Sequence, residues 1–314
     1  MADEMKHHED LWGWMLATDF FLAGMGGAML FIAAIVDLFV GPGQVSFYAR
    51  LVAPVLIAMG AGLLIFELGR PFQGLRVFMN PKSMLTFGAW SMTVTIVVGL
   101  ANASFYVPSN LYKVPWAGNS GWQPVLSVIL LVFGLIVASY PGVLLARHKA
   151  RPFWTGPGIA VLFMLSSLVT AISAHQLLNL VDAPQSATLA AGLRWIASSL
   201  LALQVVLWLI YLYVKRTGGT QQEADAALRW ITGSMAPAFW LGLLVCGTLV
   251  PLVLQLFVPN AIAIAAALTI IGGAVLRYIV VASGQDRTWI NGEQAYNSRL
   301  PRGDEAFLKA WNRS

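Results

Sequence analysis

Two side chains able to handle protons lie inside apolar stretches of this 314-residue chain. Asp19 follows Asp10 by nine residues. In a helix that places it roughly 13 Å from the polar boundary. Tyr140 precedes Arg147 by seven residues, roughly 10 Å from a polar boundary by the same rise. A carboxyl group so deep in an apolar segment must be neutral, paired, or turned towards a polar cavity, because a lone charge in lipid is costly. Such a carboxyl can relay protons, and a phenol can donate a hydrogen bond to an oxygen acceptor. Pro141 removes a backbone N–H and its ring clashes with the carbonyl of Val137. The expected kink turns Tyr140 off the regular helix face, and Gly142 permits close packing there.

Other ionisable groups sort by face. Glu67 and Arg70 stand one helical turn apart at the end of an apolar stretch, on the same face as Asp19 and Tyr140, and are expected to pair. Glu67 is a second candidate proton relay. Asp37, Arg50, His175 and Arg194 gather towards the opposite face, where the expectation is a set of anchoring ion pairs. Asn102, Gln204 and Gln255 are the polar residues between, on three different helices. The four histidines are His7, His8, His148 and His175, and only His175 lies in or near an apolar segment. A membrane haem usually needs paired axial ligands, so none is expected. One cysteine, Cys246, makes neither a disulfide nor an iron–sulfur cluster, and reads as a small packing residue. There is no phosphate loop, zinc spacing or hydrolase elbow.

The elements that must position these groups are membrane helices. The sequence is 58% hydrophobic and 11% charged, with a mean hydropathy of +0.72; a soluble domain carries about twice that charge. Eight stretches are long enough to span a bilayer: Leu11–Val40, Leu51–Leu68, Met84–Val107, Val125–Ala146, Phe153–Ala174, Leu189–Val214, Trp230–Val258 and Ala261–Ala282. The first and seventh exceed one span, so tilt or interfacial ends are expected. Turn-forming or polar "GPGQ", "GRP", "VPSN", "RHKARP", "VDAPQS", "KRTGGTQQEAD" and "VPN" mark breaks between them. Small residues at four-residue spacing, Ala23/Gly27 and Ala58/Gly62, allow close helix approach. An even span count puts both termini on one side. Sixteen Lys and Arg fall on that side and three on the other, which predicts cytoplasmic termini in a cytoplasmic (inner) membrane. The polar start "MADEMKHHED" is not a cleavable signal pattern.

Four stretches together resemble the NrfD/PsrC family, the membrane subunits of molybdopterin-type oxidoreductases such as polysulfide reductase. They are "WGWMLATDFFLAGMGGAMLFIAA" (Trp12–Ala34), "ELGRP" followed by "NPKSMLTFGAW" (Glu67–Trp90), "SYPGVLLARHKARPFW" (Ser139–Trp154) and "LRYIVVASGQ" (Leu276–Gln285). The resemblance implies eight helices in two four-helix bundles, residues 1–150 and 151–285, followed by a polar tail at 286–314. It implies an exchangeable quinone, menaquinone or ubiquinone, in the first bundle, with no haem or iron–sulfur cluster in this chain. Tyr140 is the expected quinone-binding phenol. Ser139, Trp14 and Asp19 are expected to join it, and Arg147 and His148 to form the rim. Polysulfide reductase aligns with a histidine where this chain has Asp19 and an asparagine near Leu16, so Asp19 would do the histidine's work. An iron–sulfur subunit is expected to dock on the terminal side, with a molybdopterin subunit behind it; nucleic acid is not an expected partner. The competing class is a secondary transporter or proton channel. Its hallmark, paired broken helices at the midplane, is poorly represented here.

Overall fold

The computed structural model describes residues 13–67, 77–80, 83–116, 121–147, 151, 153–182 and 187–283. Among them every regular element is helical. In chain order they are α1 (Trp14–Phe39), α2 (Phe47–Glu67), α3 (Met84–Ser104), α4 (Gln123–Ala146), α5 (Pro157–Asn179), α6 (Ala187–Thr217), α7 (Gln221–Ile231), α8 (Ala238–Phe257) and α9 (Ile262–Ser283). A short 3₁₀ turn, Pro259–Ala261, joins the last two. All but α7 are long and apolar enough to cross a membrane, which gives the eight expected spans. The all-helical membrane architecture is therefore as the sequence predicts.

Local chemistry sets the ends. Ser83 caps α3 by accepting from the Leu85 N–H at 3.3 Å. Gly156, at φ +108°, turns the chain so that Pro157 can open α5. This left-handed residue is why the fifth helix begins at Pro157 rather than at Phe153. At its other end α5 continues to Asn179, which puts His175 inside the helix. The seventh apolar stretch divides. Trp230 belongs to α7, an amphipathic helix opened by a capping box in which the Thr220 side chain and Glu223 exchange hydrogen bonds with each other's backbone N–H. The span proper starts at Ala238, and its first twelve residues, Ala238–Leu249, wind as a π-helix.

The packing order is α1 on α2, α2 on α3, α3 on α4 and α4 back on α1. In the second half α5 meets α6, α6 meets α8, α8 meets α9, and α9 returns to α5. The halves join through α4 on α5 and through α1 on both α5 and α9. Buried apolar residues fall into two main strata by depth. One contains Met29, Leu30, Ile57, Leu130 and Val137, with Ala171 of α5 and Ala197 of α6. The other, towards the terminal side, contains Phe20, Leu145, Trp154, Phe163, Trp208, Trp230, Phe239 and Leu276. Each stratum takes residues from both halves, so neither half buries its apolar surface alone.

Close helix approach depends on glycine at particular points. A Cβ on Gly27 would lie 2.9 Å from the Ala138 nitrogen, and one on Gly142 would lie 2.7 Å from the Phe163 Cβ. Gly62, by contrast, faces open space, and the close contact on α2 belongs to Gly60. Cys246 is exposed on α8 rather than packed. An apolar thiol is tolerated on either a lipid-facing or an inward-facing side, so sequence could not choose between them.

Candidate functional site

Asp19 and Tyr140 come together in the first four helices. Both are buried, at 1% and 5% exposure, and they lie within electrostatic reach of each other. Each is accommodated by a glycine on a neighbouring helix. The Asp19 Oδ1 sits where a Cβ on Gly60 would be only 2.8 Å away. The Tyr140 ring lies over Gly88, whose Cβ would be 2.2 Å from Cζ. Thus α1 and α4 supply the two polar side chains, and α2 and α3 supply the space. The Tyr140 hydroxyl has no hydrogen-bond partner among the described residues. A buried donor left unpaired costs about 1–3 kcal/mol, so it is suited to an acceptor brought by a ligand. α4 runs through Pro141 without a break in its helical span.

The remaining site residues expected from sequence are placed unevenly. Trp14 is 59% exposed at the first turn of α1. Ser139 is half-buried, and its hydroxyl is within donating distance of two carbonyls of its own helix, Leu135 at 2.9 Å and Ile136 at 3.1 Å. Its hydroxyl hydrogen is therefore engaged within α4. Arg147 is exposed just past the end of α4. His148 and Arg70 lie outside the described residues, as does the side chain of Glu67.

The group at the opposite face is tighter than simple anchoring. Asp37 and Arg50 form a bidentate ion pair, Nη2–Oδ1 at 2.5 Å and Nη1–Oδ2 at 2.7 Å. Arg50 Nη1 also donates to Asn102 Oδ1 at 3.0 Å, and the Ser127 hydroxyl donates to Asp37 Oδ2 at 3.2 Å. The Tyr106 ring lies 3.7 Å from the guanidinium carbon. One residue or more from each of α1 to α4, together with Tyr106 just past α3, thus builds a buried polar cross-tie. His175 makes no ion pair among the described residues; its Nε2 lies 3.0 Å from the Met29 carbonyl, joining α5 to α1. Arg194 donates to the carbonyls of Gln255 and Leu256 at the end of α8, the latter at 2.9 Å. Gln255 also exchanges amide bonds with Gln176 at 3.3 Å.

Arg277, Gly60 and Gly88 escaped sequence reasoning. Arg277 counted there as a terminal-side charge, but it lies inside α9 at 1% exposure. Its Nη2 donates to the Phe163 carbonyl at 3.0 Å and to the Ser167 hydroxyl at 2.9 Å. The available signal was its six-residue distance from Ser283, about 9 Å inside the helix end. Gly60 and Gly88 carried no such signal. Among the described residues, no cluster of three or more His, Cys, Asp or Glu side chains could hold a metal ion.

Comparison with known proteins gives the family. Residues 3–288 match the family described as "Polysulphide reductase, NrfD". The chain belongs to the NrfD family. It is similar to the C subunit of polysulfide reductase from Wolinella succinogenes, at 27% identity over 309 residues, 89% of this chain and 96% of that protein. It is similar as well to protein NrfD of Escherichia coli, at 25% identity with the same coverage of both chains. An NrfD homolog of Haemophilus influenzae shares 24% identity over 74% of this chain. The family and the eight apolar helices agree on a multi-pass membrane protein, and they make this NrfD protein a membrane subunit of that family.

Proposed function

We propose that the protein is the quinone-reactive membrane anchor of a respiratory oxidoreductase, passing electrons between the quinone pool and an iron–sulfur subunit. The observation that carries this reading is the Tyr140 hydroxyl, buried beside Asp19 with no hydrogen-bond partner among the described residues. Reducing a quinone takes two electrons and two protons and leaves a quinol. The electrons would come from a cluster in the iron–sulfur subunit. The phenol of Tyr140 would hold one carbonyl oxygen, and the Asp19 carboxyl would deliver protons to the ring oxygens. Menaquinone or ubiquinone fits equally, since both present carbonyl acceptors. Glu67, at the same end of α2, is proposed as the relay between Asp19 and the aqueous side.

The partner is proposed to dock at the terminal side, over the exposed Arg147 and the His148 that follows it, with a molybdopterin subunit beyond. The Wolinella relative is one lettered subunit of a reductase, which supports membership in a multi-subunit complex. We propose two four-helix halves, divided near residue 150; the closed packing order of α1 to α4 supports the first. The Lys and Arg distribution supports an inner-membrane protein with cytoplasmic termini. With Arg277 moved into the span it still stands at fifteen to three. Reporter fusions at the C-terminus, one active only inside and one only outside, test that side.

Asp19→Asn and Tyr140→Phe test the chemistry. Each should lower quinone-linked electron transfer while leaving assembly with partner subunits intact. Full turnover in Asp19→Asn would remove the proposed proton relay.

A further inference from the structure

Arg277 is a buried charged group that the proposed reaction leaves unused. It lies at the junction of α9, α5 and α1, and neither ion pair among the described residues includes it. Its Nε and Nη1 have no hydrogen-bond partner there. The guanidinium stays charged, and a buried charge without a counter-charge is expensive in a membrane. Its compensation is partial: the Phe163 ring 4.3 Å from Cζ, the Phe163 carbonyl and the Ser167 hydroxyl.

These contacts lead to the Asp19–Tyr140 site by two routes. The Ser167 hydroxyl also lies 3.2 Å from the Ala138 carbonyl, two residues before Tyr140. The Phe163 ring meets Phe20, the residue after Asp19, edge-on at 6.4 Å between centroids. Space for the tie is held open by Gly24, whose Cβ would be 2.6 Å from the Ser167 Oγ and 3.5 Å from the Arg277 Nη2.

We propose that Arg277 is a positioning residue for the redox site, a fixed positive charge that favours negatively charged forms of a quinone-type ligand held between Asp19 and Tyr140. This rests on the quinone reading above. It adds a preference that the two residues alone would not give, because a phenol and a proton-donating carboxyl bring no positive charge to the ligand. Arg277 supplies that charge from the neighbouring α9, next to Gly24 of α1.

The test compares two probes on the purified native complex in lipid nanodiscs: lawsone, a hydroxynaphthoquinone ionised at neutral pH, and its uncharged methyl ether. Arg277→Gln should weaken lawsone severalfold, because a unit positive charge near the site is lost where screening is weak, and leave the ether unchanged. Arg277→Lys should restore lawsone binding. Should Arg277→Gln fail to assemble, Ser167→Asp sets a carboxylate against the guanidinium and should produce the same selective loss. Equal weakening of both probes, or none, in the variant that assembles would overturn the proposal. Binding of neither probe to the wild-type complex would overturn the quinone reading itself, and the proposal with it.

Discussion

Replacing Gly88 with alanine places a methyl group 2.2 Å from the Tyr140 Cζ, 2.6 Å from Cε2 and 2.7 Å from Cε1. Ordinary van der Waals contact begins at 3.4 Å, so Cζ must retreat by at least 1.2 Å, the difference between the two distances. Cζ carries the hydroxyl, and a hydroxyl–oxygen bond tolerates only about 2.5–3.0 Å between heavy atoms. A shift of that size would take the phenol out of range of an acceptor that a bound quinone offers at its present position. Overpacking of this kind costs about 1–3 kcal/mol of stability. The lost hydrogen bond costs about 1 kcal/mol of ligand affinity, which is roughly fivefold. The assay is a double-mutant cycle in detergent, with thermal unfolding and quinone-analogue binding as readouts. Gly88→Ala alone should lower both. In a Tyr140→Ala background the ring is gone, and the same methyl should no longer destabilise, since alanine is favoured over glycine inside a helix by about 0.5–1 kcal/mol. Equal effects in both backgrounds would show that Tyr140 does not occupy the space above Gly88.

Other expectations follow from the same geometry. Asp37→Ala leaves Arg50 buried and unpaired, and should cost about 3–5 kcal/mol in an unfolding titration; Asp37→Ala combined with Arg50→Met should recover much of that loss. Thr220→Ala removes the α7 cap and should cost about 1 kcal/mol, with quinone-analogue binding unaffected, as thermal unfolding and a binding titration would show. Cys246→Ala should change stability by less than about 0.5 kcal/mol, because the side chain is exposed and makes no core contact; a larger loss on heating would place Cys246 in a packed interface.

Depth was legible in the sequence, and direction was not. Counting residues from the polar boundaries put Asp19 and Tyr140 at similar heights, and the folded protein brings them together. The same count did not reveal which helices face which. In a soluble helix an apolar stripe gives that answer, but a membrane helix is apolar towards both lipid and protein. Gly60 and Gly88, which make room for the two site residues, were therefore invisible, and Gly62 was favoured over Gly60. Asp37 and Arg50 were correctly grouped by face, yet the reach of Arg50 to Asn102 and Tyr106 needed the packing of α2 against α3. Arg277 falls within the eighth expected span, Ala261–Ala282, yet it counts with the terminal-side charges because positive charge near a helix end is usually interfacial; six residues inside α9 it is fully enclosed. The α7 cap was readable as Thr-x-x-Glu, but it lay hidden within a segment treated only as a break.

The central claim is that a quinone sits between Asp19 and Tyr140. Photolabelling the native complex with an azidoquinone, followed by peptide mapping, tests it most directly. The label should fall on α1 around Asp19 and on α4 around Tyr140, and excess menaquinone or ubiquinone should compete it away. Competable labelling confined to helices α6 and α8, or no competable labelling of this protein at all, would contradict the assignment.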